Sequence, residues 1–309
     1  MPPDPGTDAF EAERPKLLRL AYRMLGSVAE AEDVVQNAWL RWRETRHDMV
    51  RSPGAFLSRT VTRLCLDTLR SARARRETYV GTWLPEPLVE MPEEPSVDSD
   101  DLTLTLMMAL ERLSPLERAA FLLHDVFGVP LGEVATTLDR DAAAVRQLAV
   151  RARRHVQAER PRYAVAREDG ERLVRAFFAA SCSGDVDGLR AMLAEDAVIR
   201  SDGGGKVIAF LNPIIGIERI LRLFAGLARK HAADPATFLK ALVVDGLPGF
   251  ASLERGGILQ VTALDCEGGR IVGIYVTRNP DKLGHIAQAL GLSAQTASSP
   301  SGLFKVRLR

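Results

Sequence analysis

Apolar residues recur every three or four positions through the first part of the chain, which is the spacing of amphipathic helices. The pattern predicts helices over Phe10–Leu25, Ala29–Glu44 and Pro53–Arg76, and Gly26-Ser27 ends the first of them. The stripe that should be buried in the third helix consists of Leu57, Val61, Leu64, Cys65 and Thr68. An all-α domain is therefore expected over residues 7–79.

A second helical pattern, over residues 102–162, contains short helices joined by tight turns. Ser114-Pro115-Leu116-Glu117 has the form of a capping box, and the apolar helix that follows ends at Gly128-Val129-Pro130. Leu131–Leu138 is a short helix, Asp139-Arg140 turns the chain, and Asp141 can cap a third helix. The third helix has an apolar face of Val145, Leu148, Ala149, Ala152 and Val156. This arrangement predicts a helix-turn-helix that binds DNA, and the alternative is a helical pair with a solvated basic face.

The hydrophobic period changes over residues 167–290, where helices come first and period-two stretches follow. Helices are predicted at Glu168–Ser181, Asp185–Leu193 and Ile217–Lys230, and extended runs at Ala197–Arg200, Val207–Phe210, Thr237–Val244, Phe250–Arg255, Ile258–Leu264 and Ile271–Val276. Glycine turns between the later strands suit hairpins, so an α+β domain with a curved antiparallel sheet is expected. The Ser/Ala-rich tail, residues 291–309, is expected to be mobile.

Residues 80–101 contain prolines and acids but no lysine or arginine, which predicts a linker. The apolar pair Trp83-Leu84 is unusual in a linker, so we expect it either to dock onto a flanking domain or to pack locally at a helix end. The net charge is only +1, yet Arg140–Arg162 is strongly basic, so local patches matter more than the total.

The three cysteines, Cys65, Cys182 and Cys266, are scattered and show no CxxC spacing. They predict buried thiols in a reducing compartment rather than a zinc site or a disulfide. The N-terminus does not read as a signal peptide and no apolar run reaches membrane-spanning length, so a cytoplasmic protein without metal or cofactor is expected.

Two helix faces are candidate binding surfaces. In the third predicted helix, Arg59, Arg63, Arg70 and Arg73 share one face, with Thr62 and Leu66 among them, and the charge continues into Arg75 and Arg76. Such a face suits the backbone of a nucleic acid, although charged faces are also commonly just solvated. In the second predicted helix Leu40 stands among Glu32, Asp33 and Gln36, which indicates either a protein contact or a solvated face with one apolar residue.

The segments Ala21–Ser27 and Ala31–Gln36, the arginine-rich helix and the helix-turn-helix together resemble regions 2 and 4 of extracytoplasmic-function (ECF) sigma factors, in order and spacing. The C-terminal part resembles a SnoaL-like domain of the NTF2 fold. Three pentapeptides, WLPEP, DGGGK and NPDKL, look like the signature of the sigma factor J-like subgroup, whose members carry this fused extension. The resemblance implies a multidomain protein with two all-α sigma domains and one α+β domain.

The resemblance also implies partners and sites. It assigns Glu32, Asp33, Gln36 and Leu40 to core RNA polymerase, whose β and β′ subunits are the expected partners. The melted −10 strand would contact Arg59, Thr62, Arg63, Asp67, Arg70, Arg73, Arg75 and Arg76. The −35 duplex would contact Arg140, Ala143, Arg146, Gln147, Val150, Arg151, Arg153 and Arg154. Two residues depart from the family pattern, because many relatives carry asparagine at the position of Asp67 and a basic residue at that of Leu148.

The C-terminal domain allows two interpretations. NTF2-like enzymes use buried acids or bases, and Asp202, His231, Asp265 and Tyr275 are candidates for that chemistry. The resemblance favours regulation in cis without a separate anti-sigma factor and leaves room for a small ligand. In that reading the three pentapeptides form one interface of Trp83, Leu84, Pro85, Glu86 and Pro87, of Asp202, Gly203, Gly204, Gly205 and Lys206, and of Asn279, Pro280, Asp281, Lys282 and Leu283. The glycines should permit a close-packed turn, with Lys206 free to pair with Asp281 or Glu86.

Overall fold

The computed structural model describes residues 5–77, 79–90, 103–157, 167–296 and 304–307. The chain divides into two compact units, of which the first joins residues 1–78 to 106–160 and the second joins residues 79–105 to 161–309. The proline-containing segment after Thr78 thus groups with the C-terminal residues and not with the helices that flank it.

The first unit is helical throughout its described residues. Its helices are α1 (Pro5–Leu25), α2 (Val28–Arg43), α3 (Pro53–Glu77), α4 (Leu104–Glu111), α5 (Pro115–Phe121), α6 (Leu131–Leu138) and α7 (Ala142–Gln157), with a 3₁₀ turn at His47–Met49 and a π-helical turn at Leu122–Val126. The fully buried Trp42 donates its indole N–H to the carbonyl of Gly6 at 2.7 Å, which closes the core formed by α1, α2 and α3. The capping box predicted at Ser114 and Glu117 is present.

Helices α5 and α6 pack against α3, and Arg118 of α5 joins the two halves of this unit. Its side chain is 2 % exposed, donates to the carbonyl of Met24 at 2.7 Å, and forms an ion pair with Glu111 at 2.6 Å. Removing Arg118 would leave a partly buried carboxylate and a helix-terminal carbonyl without this donor, so the guanidinium stabilises the contact between α1, α4 and α5.

The second unit contains a seven-stranded sheet covered by helices. Its elements are β1 (Val89–Glu90), α8 (Arg167–Ser183), α9 (Val186–Met192), β2 (Leu193–Asp202), β3 (Ile214–Ile215), α10 (Ile217–His231), β4 (Thr237–Val244), β5 (Leu247–Glu254), β6 (Ile258–Glu267), β7 (Arg270–Thr277), a 3₁₀ turn at Pro280–Lys282, α11 (Gly284–Ala289), β8 (Ser293–Thr296) and β9 (Phe304–Arg307). The strand order is β1-β4-β5-β6-β7-β2-β3. Strand β1 comes from the segment predicted to be a linker and pairs with the edge of β4.

Two expectations about this unit are wrong. The sheet is mixed, because β2 and β7 are parallel, and strands joined through a helix and several other strands can pair in that direction. Val207–Phe210 is not a strand, since the short edge strand forms at Ile214–Ile215 instead. In the tail, whose predicted mobility stays a prediction, β8 and β9 pair with each other. Residues 297–303 and 308–309 lie outside the described residues.

The two faces of the sheet differ in their cover. Ile199 and Ile274 pair in register and belong to the apolar core with Phe177 of α8 and Ile220 of α10. Because side chains alternate along a strand, Asp202 and Tyr275 lie on the opposite face. Asp265 shares that opposite face, since it pairs with Gly273, two positions from Tyr275.

Candidate functional site

The acidic face of α2 is exposed along its whole length. Glu32, Asp33, Gln36 and Leu40 are all exposed, and Leu40 is 48 % exposed even though it is apolar. The opposite side of the helix, with Val34, Val35 and Ala38, is buried. The face predicted to bind a protein is therefore open to solvent on a helix whose other side is packed.

The α3 face is less open than the sequence predicts. Thr62 is fully buried with its hydroxyl donating to the carbonyl of Ser58 at 2.7 Å, and Leu66 is also buried, so the expectation that both lie on an exposed face is wrong. The physical reason is that α3 packs against α1 and α2 on one side and against α5 and α6 on another.

The charged side chains of α3 are distributed as follows. Arg63 is exposed and donates to the carbonyl of Thr137 in α6 at 3.5 Å, while Arg59 is partly buried. Asp67 and Arg70 form an exposed ion pair at 3.1 Å. The backbone of α3 continues to Glu77, but the side chains of Arg73, Arg75 and Arg76 lie outside the described part of the chain.

Helix α7 presents the face expected of a DNA-reading helix. The predicted apolar face, Val145, Leu148, Ala149, Ala152 and Val156, is buried, and Leu148 is thus part of the core. The residues predicted to contact the −35 duplex are exposed or, for Arg153, half-buried: Arg140, Ala143, Arg146, Gln147, Val150, Arg151, Arg153 and Arg154. Arg151 pairs with Glu117 at 2.8 Å and Arg153 with Asp125 at 2.6 Å, which fixes two guanidinium groups at the edges of this face. The pKa of Glu117 is lowered because the hydrogen bonds from Ser114 and Arg151 outweigh its burial.

The second unit brings the three pentapeptides together around Asp202, which is fully buried. Its carboxylate accepts hydrogen bonds from the Tyr79 hydroxyl at 2.5 Å, the Leu84 amide at 2.9 Å and the Gly204 amide at 3.0 Å. It also forms an ion pair with Lys282 at 2.8 Å. A buried carboxylate needs such partners, because an unpaired charge away from water is costly. We call the residues Tyr79, Leu84, Asp202, Asn279 and Lys282 the linker anchor.

Lys282 holds the linker in a second way. Its ammonium also donates to the Leu84 carbonyl and lies over the rings of Trp83, at 4.2 Å, and Tyr79, at 5.3 Å. Asn279 donates to the Tyr79 hydroxyl at 3.0 Å. The pKa of the Tyr79 hydroxyl is raised above its usual range by burial and by its hydrogen bond to Asp202, so it stays a donor. Trp83-Leu84 therefore docks onto the C-terminal domain, as one of the two sequence interpretations predicted.

Gly204 and Gly205 stand in a turn where the backbone conformation and the close packing both favour glycine. Gly204 has φ +62°, and a Cβ there would lie 2.4 Å from the Asn279 side chain. Gly205 has φ +70° and lies against Val80. Lys206 pairs with Asp281 at 2.6 Å, which settles the choice between Asp281 and Glu86.

We expect Gly204→Ala to lower the free energy of unfolding of the second unit by about 2–4 kcal/mol, because a left-handed backbone and a steric clash with Asn279 add together. Gly256→Ala is the matched control, since Gly256 has φ +76° but nothing within 4 Å of an added Cβ. It should cost only about 1 kcal/mol. Urea denaturation of both variants measures the difference, and equal losses would contradict the role of the Asn279 contact.

The segment after the anchor is fixed at Asp245, in the tight turn between β4 and β5. The amide of Asp245 donates to the Leu88 carbonyl at 2.8 Å, and its carboxylate accepts from the Leu88 amide at 3.2 Å. Its own carbonyl accepts from the amide of Leu104 at 2.9 Å. Both described ends of the linker are thus bound at one turn, while residues 91–102 lie outside the described residues.

Sequence reasoning missed Tyr79, Asp245 and His285 as parts of this site. Tyr79 and His285 flank the recognised pentapeptides, which is the signal that could have indicated them. Of the four candidate acid–base residues, Asp202, Asp265 and Tyr275 share one face of the sheet and His231 does not. Asp202 and Asp265 are on the face away from the helices and accept hydrogen bonds from the linker side, the latter from Thr105 at 3.4 Å. His231 instead ends α10. Burial raises the pKa of Asp265.

Metal-ligating and thiol groups outside this site are sparse among the described residues. The described residues contain no group of three or more metal-ligating side chains. The cysteines are free; Cys65 and Cys266 are buried, whereas Cys182 is half-buried, contrary to expectation. Burial raises the pKa of Cys266 to about 11. Among the described helices, none has the length and apolar character to cross a membrane.

Comparisons with known proteins identify the helical parts. The family model Sigma-70 region 2 matches residues 9–75, and the model Sigma-70, region 4 matches residues 103–156. The ECF RNA polymerase sigma factor SigJ of Mycobacterium tuberculosis is 39% identical over 288 residues, which are 88% of this chain and 91% of that protein. A probable ECF RNA polymerase sigma factor, SigI, of the same species is 33% identical over 93% of this chain and 98% of that protein.

A solved structure agrees with the fold over nearly the whole chain. The crystal structure of M. tuberculosis SigJ matches with a TM-score of 0.72 and 33% identity, and the match covers 90% of this chain and 98% of that one. The sigma factor RpoE of Bartonella quintana, solved in complex with the anti-sigma factor NepR, matches 47% of this chain and 89% of that one with a TM-score of 0.36 and 20% identity. With two sigma-70 regions and a relative of this identity over nearly its whole length, the chain belongs to the ECF RNA polymerase sigma factor family.

Proposed function

We propose that this sigma factor binds core RNA polymerase through the exposed face of α2, contacts promoter DNA through α3 and α7, and is regulated in cis by its C-terminal domain. As a member of its family it directs promoter-specific transcription initiation, acts with polymerase in the cytoplasm and is not an enzyme. The observation that carries the regulatory part is the docking of the linker after region 2 onto Asp202 and Lys282.

The polymerase surface is Glu32, Asp33, Gln36 and Leu40, and we assign it to the β′ subunit, with β as the further partner. What supports this is the combination of exposed acids with an exposed leucine on a helix whose other side is packed. An apolar side chain ringed by charge is typical of an interface that buries a small apolar centre within a polar rim.

The DNA surfaces are the exposed α7 face for the −35 duplex and the α3 arginines for the melted −10 strand. Arg146 and Gln147 are exposed near the N-terminal end of α7, the part of a recognition helix that meets base edges. Arginine and glutamine suit guanine and adenine edges respectively. Thr62 is buried in the present arrangement, so it can join the −10 set only if that part of α3 becomes uncovered.

We expect Arg146→Ala to weaken binding of a −35 duplex about 10-fold at fixed salt, since an arginine contact to a base edge or phosphate is lost. Arg172→Ala is the control, because Arg172 is an exposed arginine of the C-terminal domain that pairs with Asp169. Fluorescence anisotropy with labelled duplex measures both. Equal affinities for Arg146→Ala, the control and the unchanged chain would contradict the assignment.

Distance explains how linker docking can regulate initiation. The −35 and −10 elements are named for positions 25 base pairs apart, which is roughly 85 Å at about 3.4 Å per step. A compact unit of about 130 residues has a radius of gyration of only ~14 Å. Regions 2 and 4 must therefore separate to bind both elements, and the linker between them must extend.

Linker docking opposes that extension. Tyr79, Leu84 and Leu88 are bound to the C-terminal domain before the gap in the described chain, and Leu104 is bound after it. These bonds must break before the linker can extend. The C-terminal domain therefore acts as a restraint on promoter engagement.

In vitro transcription with core polymerase and a promoter pool tests this regulation. Lys282→Met, which removes the cation of the linker anchor, should raise transcript yield several-fold relative to the unchanged chain, whereas Lys206→Met, which removes an exposed ion pair of the same interface, should not. Equal yields from both variants would overturn regulation by docking. An absence of dependent transcripts from every chain would overturn the polymerase assignment itself.

Control by docking makes a separate anti-sigma factor unnecessary, and we propose that none is required. RpoE was solved with NepR, so a pull-down from the native cell with the full chain as bait is the direct test of this point. A small ligand in the C-terminal domain is compatible with the proposal but is not required by it. A DNA-binding regulator fused to an enzyme is less well supported, because Asp202 and Asp265 face the linker side and not the helix-covered face.

A further inference from the structure

His285 joins α11 to the linker through both nitrogens of its ring. Its Nε2 lies 3.0 Å from the carbonyl oxygen of Pro87, and its Nδ1 lies 3.3 Å from a carboxylate oxygen of Glu86. Glu86 is 6 % exposed, so this carboxylate is held away from water. The two linker residues lie two and three positions after Leu84 of the linker anchor.

The protonation state of His285 follows from its two hydrogen-bond acceptors, the Pro87 carbonyl and the Glu86 carboxylate. A carbonyl and a carboxylate can only accept, and a neutral imidazole has only one N–H. The neutral ring would therefore satisfy one of the two and turn a lone pair toward the other. Only the imidazolium donates to both, and it also supplies the charge that a buried Glu86 carboxylate requires.

We infer that His285 and Glu86 form a proton-dependent latch, so that the linker docks with a protonated His285 and is released as that proton is lost. The inference rests on the proposed function, because it names what controls docking of the same linker. The charged groups facing His285 are Glu86 from the linker and Asp245 from the β4–β5 turn, both of which favour the imidazolium. Lys282, three positions earlier, is directed to Asp202 and the Leu84 carbonyl.

The direction in which linker docking changes with pH follows from the difference between the pKa of His285 in the docked and the undocked state. The hydrogen bond to Glu86 is the main cause that raises the pKa of docked His285, and it outweighs the opposing effect of burial. The pKa of the undocked side chain is the ordinary ~6.5. The latch is therefore fully formed below about pH 6.5 and weakens as pH rises through the higher pKa of the docked state. Acidification strengthens the docking of the linker, and a rise in pH through the docked pKa of His285 weakens it.

Hydrogen exchange of residues 79–90 in the full chain, corrected for intrinsic rates, tests the latch. As pH rises from about 6.5 through the docked pKa of His285, the protection should fall, tenfold per pH unit being the limit for one proton. In His285→Gln, and separately in Glu86→Gln, protection should change less than about 2-fold over that range. His231→Gln, in which a histidine of the same unit is replaced, should keep the response of the unchanged chain.

His285→Gln and Glu86→Gln are both made in case one of them fails to fold. Either variant is sufficient for the test if its circular dichroism spectrum is native. A pH response that persists in the folded variants, or its absence in the unchanged chain, would overturn the latch. Transcription measured at the same pH values separates the two proposals. Linker protection that follows pH while transcript yield does not would leave the latch standing and overturn the regulation by docking.

Discussion

Lys282→Met is expected to destabilise linker docking by about 3–5 kcal/mol, because it leaves Asp202 as an uncompensated buried charge. The methionine keeps most of the apolar volume but loses the ion pair, the bond to the Leu84 carbonyl and the cation over Trp83. Hydrogen exchange of residues 79–90 would measure the loss as an acceleration of about 100-fold or more.

Two controls separate the buried charge from a general loss of packing. Lys206→Met removes an ion pair in which Lys206 is half-exposed, and it should cost less than about 1 kcal/mol. The double variant Asp202→Asn with Lys282→Met removes both charges and should recover part of the loss, because no buried ion remains. If the double variant is as unstable as the sum of its single changes, the buried charge is not the cause.

Asp33→Arg is expected to weaken binding of core polymerase by about 100-fold or more and to abolish dependent transcription, because it reverses charge at the centre of the exposed α2 face. The helix should tolerate the change, since Asp33 is exposed and the buried side of α2 is untouched. Fluorescence-detected titration of labelled chain with core polymerase measures the affinity, and circular dichroism checks the helix.

Glu11→Arg is the matched control for this reversal. Glu11 is also an exposed acid on a helix of region 2, but it lies on α1 and not on α2. It should leave affinity within about 3-fold, as expected for a charge outside the interface at moderate salt. Equal weakening by both reversals would indicate general charge attraction and not a specific surface on α2.

Several parts of the fold were predictable because local chemistry decides them. Leu131–Leu138 and Ser114–Glu117 have the predicted structure since caps and turns act over three or four residues. The buried face of α7 also agrees with its apolar period, because a helix that packs on one side only must carry its core residues there. Thr62 shows the limit of this reasoning, since α3 packs on two sides and the burial of its second side depends on α5 and α6.

The sequence by itself determined the helices of both sigma regions, the helix-turn-helix and the presence of three unusual pentapeptides, because these depend on neighbours a few residues apart. Only the tertiary structure decided that β2 and β7 are parallel, that Asp202 holds Tyr79 and Leu84, and that His285 bridges to Glu86. These contacts join residues far apart in the chain, and no local period or spacing specifies which distant partner will satisfy a buried charge.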